Sequence, residues 1–254
     1  MTTRYRATLA YDGTAYQGFQ RQAEGIPTIQ AAVEQALRRV TRQDVTVIGA
    51  GRTDSGVHAR GQVIAFDAEW RHTNADLLRA LNALLPDDIA AQDICQQPGF
   101  HPRFDALSRR YSYRVIEASQ PQPLLRLQSW RVWGVLDAEA MQTAAALLLG
   151  KHDFATFGQP PQGTNTVREV HYSGWTVHPA DYGRKLVYEV EANAFLHHMV
   201  RRIVGMLIEV GLGALPVAGF EQAFRAADLA QAGTIAPPQG LVLEKVRYPG
   251  ETVP

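Results

Sequence analysis

Val45-Thr46-Val47-Ile48-Gly49-Ala50-Gly51-Arg52-Thr53-Asp54-Ser55-Gly56-Val57-His58-Ala59-Arg60-Gly61-Gln62-Val63-Ile64-Ala65-Phe66 is the stretch on which the fold turns. Apolar, largely β-branched runs at 45–48 and 62–66 predict two strands, and the loop between them is dense in glycine and charge. Gly49, Gly51, Gly56 and Gly61 permit tight turns and close approach of backbone to a ligand. Arg52, Asp54, His58 and Arg60 bring two guanidiniums, a carboxylate and an imidazole into one loop. Two readings of Asp54 are open. It is either a turn residue whose side chain caps nearby N–H groups or a reactive acid on a loop presented by a rigid sheet. The stretch lacks the Lys-Ser/Thr end of a P-loop and the alternating carboxylates of an EF-hand.

Working outward, Tyr5 to Tyr11 alternates as a strand does and Asp12-Gly13 ends it. Thr28 is the expected cap of a helix with Ile29, Val33, Leu37 and Val40 on one face. Beyond Phe66, Asn74 is expected to cap a second helix carrying Leu77, Leu78, Leu81, Leu84 and Leu85, which Pro86 stops. A strand follows over 89–94. The order β-α-β-β-α-β is that of ferredoxin-like and RNA-recognition folds. After a joint at Pro98–Pro102, similar elements recur: strands 109–116 and 130–135, a helix from Asp137 to a stop at Gly150, strands 168–177 and 186–192, helices 195–210 and 220–226, and a last strand 241–246. The expected class is α+β. Two βαββαβ halves, 1–104 with the Asp54 loop and 105–254, would form one extended antiparallel sheet with helices on one face and a trough for folded RNA on the other.

Composition narrows the function. The chain has 254 residues, 46% apolar and 20% charged, ordinary for a globular protein. Cys95 stands alone, so an intrachain disulfide and a cysteine-based zinc cluster are excluded, and a reducing cytoplasmic setting is expected. The start shows no apolar signal-peptide core. Ile203 to Gly219, broken by Glu209 and Pro216, is too short to span a bilayer. Net charge is zero, which marks no obvious polyanion binder. The kind of cation says more: lysine occurs only at 151, 185 and 245, so 22 of the 25 basic residues are arginine, the residue suited to phosphate contacts and base stacking. Thr14 to Gln22 mixes aromatics, amides and Arg21. These types suit base stacking and edge contacts or an aromatic-anchored loop. Tyr111, amid arginines, suits a stacking partner or a core tyrosine.

A carboxylate beside Arg52 stays ionised and can serve as nucleophile or base. On the expected helix 195–210, a buried Arg201 requires an acid, and Asp54 is the candidate. His197 and His198, adjacent on that helix, are not expected to face each other. Asp153 and Phe154 read as structural. No local second acid for a glycosidase, no nucleophile elbow and no dinucleotide fingerprint is present.

Several segments together, Gly51 to Ala59, Tyr11-Asp12-Gly13-Thr14, Gly18 to Gln22, Phe100 to Ala106 with Arg109-Arg110-Tyr111, Asn193 to Arg201 and Ala236 to Leu241, resemble the tRNA pseudouridine synthase I (TruA) family along nearly the whole chain. The resemblance implies isomerisation of uridine to pseudouridine at positions 38, 39 and 40 of the tRNA anticodon stem-loop, a homodimer, and no metal or organic cofactor. It implies Asp54 as the essential carboxylate, Tyr111 at the target base with a part in proton transfer, and Arg201 as the partner of Asp54. Arg52, His58, Gln20, Arg21 and Leu241 are the implied further substrate contacts. Two alternatives from other classes are a non-catalytic RNA-binding protein on the same scaffold and a carboxylate-dependent nucleoside hydrolase.

Overall fold

The computed structural model describes residues 2–160 and 162–251. The chain is mixed α+β with mostly antiparallel strands, as expected. It forms two compact units. One runs to Leu107 and takes up the chain again from Val242; the other is Ser108–Leu241.

In the first unit the order is β1 (Thr3–Tyr11), α1 (Ile29–Thr41), β2 (Ile48–Gly49), β3 (His58–Ala68), α2 (Asn74–Asn82) and β4 (Ile89–Gln96). β1 pairs antiparallel with β3 and β4, and β2 with β3. On β1 the odd-numbered residues Tyr5, Ala7, Leu9 and Tyr11 are buried, the period-two pattern of a strand with one core face. Ile29, Val33 and Leu37 of α1 and Leu77 and Leu81 of α2 are buried too. Each such side chain contributes about 1.5–3 kcal/mol by leaving water.

Three local expectations change here. The first strand of the opening stretch shrinks to Ile48–Gly49. Val45 and Val47 are buried, but the backbone of Val47 is satisfied by helix α1: its N–H donates to Glu34 Oε1 at 3.0 Å and its carbonyl accepts from Gln30 Nε2 at 3.0 Å. The second strand begins at His58, inside the expected loop, because Ala59 already pairs with Tyr11. Thr73, not Asn74, caps α2; its hydroxyl accepts from the Asp76 N–H and the Asp76 carboxylate accepts from the Thr73 N–H, a reciprocal capping box.

In the second unit the strands are β5 (Ser108–Ala118), β6 (Trp130–Val132), β7 (Gly150–Asp153), β8 (Val167–Ala180) and β9 (Gly183–Ala192), with α3 (Ala138–Ala146), α4 (Met199–Gly211) and α5 (Val217–Arg225). β9 lies between β5 and β8, β7 lies on the other side of β8, and all three pairings are antiparallel; β6 joins β5 in parallel. Asp137 caps α3 as expected. Phe154 packs with Phe157 and Phe224, and Asp153 Oδ1 accepts the Ala155 N–H, so both are structural. β7, an exposed Gly-Lys-His-Asp edge, has no apolar alternation to announce it. The hairpin strands run on to Ala180 and Gly183, leaving a tight turn.

The helix expected from Phe195 starts only at Met199. His198 takes a left-handed backbone, φ 61°, which ends helical geometry on its N-terminal side. The His197 N–H is spent on Gln159 O at 3.0 Å. Freed from a helix, the His197 and His198 rings stack at 3.7 Å, against the expectation that they do not meet.

β10 (Leu241–Arg247) pairs in parallel with β3, Val242 opposite His58 and Leu243 opposite Ala59. The division at 104/105 grouped this strand with the second half; from Val242 onward it clusters with the first unit.

Candidate active site

In the first unit the loop 50–57 is clamped from beneath. Thr53 is buried and its hydroxyl meets the Tyr11 hydroxyl at 2.8 Å. The Thr53 carbonyl accepts the Phe19 N–H at 3.0 Å, and the Tyr16 carbonyl accepts the Gly56 N–H at 3.3 Å. A Cβ on Gly13 would lie 2.0 Å from the Val57 carbonyl oxygen, so only glycine lets the 12–14 turn reach the loop. The Asp54 carbonyl closes the turn by accepting the Val57 N–H at 3.1 Å. Asp54 is thereby held half-buried between a buried Thr53 and an exposed Ser55, and Arg52 beside it is exposed.

His58 is buried, with Nδ1 3.1 Å from both the Gly13 N–H nitrogen and Asp12 Oδ1. A neutral ring accepts from Gly13 at that nitrogen; a protonated ring donates to Asp12. Partial burial opposes ionisation of Asp12. The Thr14 hydroxyl and N–H, with His58, outweigh it and hold the carboxyl below its usual range. Arg21 reaches Glu34 Oε2 at 2.7 Å, and its N–H donates to Gln30 Oε1 at 2.9 Å; Gln20 is exposed next to it.

In the second unit Tyr111 lies on β5 opposite Val190, half-buried, its ring edge-on to Phe195 at 5.0 Å. Arg201, on the first turns of α4, donates through Nε to the Ala236 carbonyl at 2.8 Å, and its own carbonyl accepts the Ala236 N–H at 3.0 Å. Segment 234–240 is thus strapped to α4 and β5. The Thr234 carbonyl sits where a Cβ on Gly205 would be, 1.7 Å away. The Tyr113 hydroxyl donates to Pro237 O at 2.7 Å. Burial drives the Tyr113 pKa far up, and the Arg201 charge opposes this. Leu241, where β10 begins, is buried at the end of the strap.

A sequence profile described as tRNA pseudouridine synthase matches residues 7–105 and 144–249. The chain belongs to the tRNA pseudouridine synthase family. Proteins named tRNA pseudouridine synthase A agree. That of Geobacter sulfurreducens is 43% identical over 94% of this chain and 97% of its own length. The Chloroflexus aurantiacus protein is 44% identical over 95% and 87%, and the Neisseria gonorrhoeae protein 41% over 97% and 92%. As a member of this family the chain is an isomerase that acts on uridine in tRNA. No helix among the described residues is long and apolar enough to cross a membrane.

Within this family member, Asp54, Arg52, His58, Gln20 and Arg21 lie in the first unit, on the 50–58 loop or the adjoining 14–22 loop. Tyr111, Arg201 and Leu241 lie in the second. Sequence reasoning missed three supports. Glu34 is a buried acid that ties Arg21, Gln30 and the Val47 N–H together; an acid next to Val33 on an apolar helix face was the available signal. Gln62 is fully buried and donates to the Gly51 carbonyl at 2.9 Å, a polar residue standing in an apolar strand. The Ala236–Leu241 segment carries part of the family resemblance, but its anchoring by Arg201 and Tyr113 has no sequence signal, since its own polar groups are backbone.

Proposed function

We propose that this isomerase converts uridine to pseudouridine at positions 38, 39 and 40 of the tRNA anticodon stem-loop, with Asp54 as its essential carboxylate. The observation that carries the reading is the Asp54 loop: a half-buried acid whose backbone is fixed on both sides, beside an exposed arginine. The N1–C1′ bond breaks, the uracil turns, and C5 joins C1′; C5 then gives up its proton and N1 gains one. No electron is added or removed and no group departs. The target base must first leave its stack, at a cost of about a few kcal/mol. Arg52 is suited to offset this through phosphate or stacking contacts. Tyr111, with its ring steadied by Phe195, meets the turned base and is the candidate to take the C5 proton. Arg201 is the assigned partner of Asp54. Gln20 and Arg21 line the path of the RNA, and the buried His58 and Leu241 back it from beneath. The protein works as a cytoplasmic homodimer.

Tritium release from tRNA labelled at uridine C5 tests this, with pseudouridines mapped in the product. Asp54→Asn is expected to slow release by at least about 10²–10⁴-fold, the range of one positioned acid–base group, with tRNA binding kept. Arg201→Ala is expected to lose activity with it. Normal release by Asp54→Asn would overturn the assignment, pseudouridine at other positions would overturn the site, and free uracil would show a hydrolase instead.

A further inference from the structure

In the second unit a cavity of about 470 Å³ opens at the β7–β8 end of the sheet, lined by Lys151, Asn165, Val167, Arg168, Glu169 and Asn193. Its walls are unusual in what they offer. The Asn165 side-chain oxygen is occupied by the Val167 N–H at 2.9 Å, and that of Asn193 by the Glu169 N–H at 3.0 Å. Each amide is therefore fixed in orientation, since a flip would set N–H against N–H. What remains to each is its NH₂ group, a donor only.

Arg168 adds charge. Its Nη1 donates to Asn165 O at 3.1 Å and Val167 O at 2.7 Å, so the guanidinium is pinned to the start of its own strand. Nε is buried and has no acceptor among the described residues. No carboxylate among them pairs with this guanidinium, and burial alone lowers its pKa. Lys151 brings a second cation, and Glu169 is the one acid, directly across the strand pair from Lys151. The lining sums to two cations, one anion and two donor amides.

We infer that this cavity is a phosphate subsite that holds a backbone phosphodiester of the RNA substrate. A phosphodiester bears one negative charge and two acceptor oxygens, which suits a donor-rich wall with one excess positive charge. The Nη2 group of Arg168 has no protein acceptor among the described residues, and it is the charged N–H group offered to a phosphate oxygen. The inference rests on tRNA being the substrate, and goes beyond it in naming the contact.

The experiment uses the full chain and tRNA, with kcat and KM from tritium release and affinity measured against salt concentration. Arg168→Gln and Lys151→Gln are compared with wild type. Each is expected to raise KM by about 3–30-fold while kcat moves less, and to reduce the slope of log affinity against log salt by about one. Arg168→Lys should recover part of the loss. Lys151 is exposed on an edge strand, so its variant reports even where Arg168→Gln fails to fold. Unchanged KM and slope in folded variants would overturn the subsite. So would a KM defect with a wild-type salt slope, or inorganic phosphate at millimolar levels protecting wild type but not the variants against heat without competing with tRNA, which marks a free-anion site. Absence of tritium release by wild type would instead strike the proposed function.

Discussion

The 50–58 loop of the first unit and the 234–240 strap of the second hold functional side chains by different means. The loop is fixed mainly through backbone: carbonyls of Thr53 and Tyr16 accept N–H groups across the turn, and Gly13 lets two chain segments touch. The strap is fixed mainly through side chains, the Arg201 guanidinium and the Tyr113 hydroxyl, onto the carbonyls of Ala236 and Pro237, with one backbone bond from the Ala236 N–H to the Arg201 carbonyl. A backbone clamp leaves the loop's side chains available for chemistry. A side-chain clamp makes the residue that holds the structure the same residue assigned to the site.

Two alanine substitutions sharpen this contrast most. Gly205→Ala sets a Cβ 1.7 Å from Thr234 O, on a helix that cannot yield, and Gly13→Ala sets one 2.0 Å from Val57 O, on a turn that can. Both are expected to cost stability, about 1–3 kcal/mol or more for overpacking, with Gly205→Ala the worse by thermal melting. Gly13→Ala is expected to lose more activity per folded molecule than its melting shift explains. Wild-type activity per folded molecule would break the claim that the turn positions Asp54.

The next effect concerns single hydroxyls. Tyr113→Phe leaves the Pro237 carbonyl without its donor and Thr53→Val removes the contact to Tyr11. Each is expected to destabilise by about 1–2 kcal/mol in denaturant titration. A neutral Tyr113→Phe would show that the strap is held by Arg201 alone.

The smallest effect is one of pH. Asp12 has a folded-state pKa below its ordinary value. Its contribution is therefore present above the ordinary carboxylate range and is lost as pH falls through the lowered folded value. The gap in melting temperature between wild type and Asp12→Asn is expected to close on going from pH 7 to pH 3. In the second unit Glu117 behaves alike: burial opposes ionisation, and Arg184 with the Leu136 N–H outweighs it. A gap at Asp12 that widens in acid would contradict the sign.

Much of this was legible in the sequence where periodicity speaks. The alternation of β1, the apolar stripes of α1 and α2 and the Asp137 cap each depend on local rules, and the structure keeps them. Errors fall where tertiary partners replace local ones. Val47 reads as strand but is satisfied by Gln30 and Glu34 from a helix. His197 and His198 read as helix, yet the His197 N–H goes to Gln159 and His198 turns left-handed. Motif order made the family legible. The strap's segment belongs to that motif order, but its anchoring was not legible, because Ala236 and Pro237 act through atoms that every residue has.

The parallel pairing of β10 with β3 has a consequence for biosynthesis. Residues 242–247 leave the ribosome after the whole of 108–241, a delay on the order of ten seconds at common elongation rates. Until then the nascent first unit lacks the parallel neighbour of His58 and Ala59. Maturation of the Asp54 loop's downstream strand thereby waits on synthesis of the whole second unit.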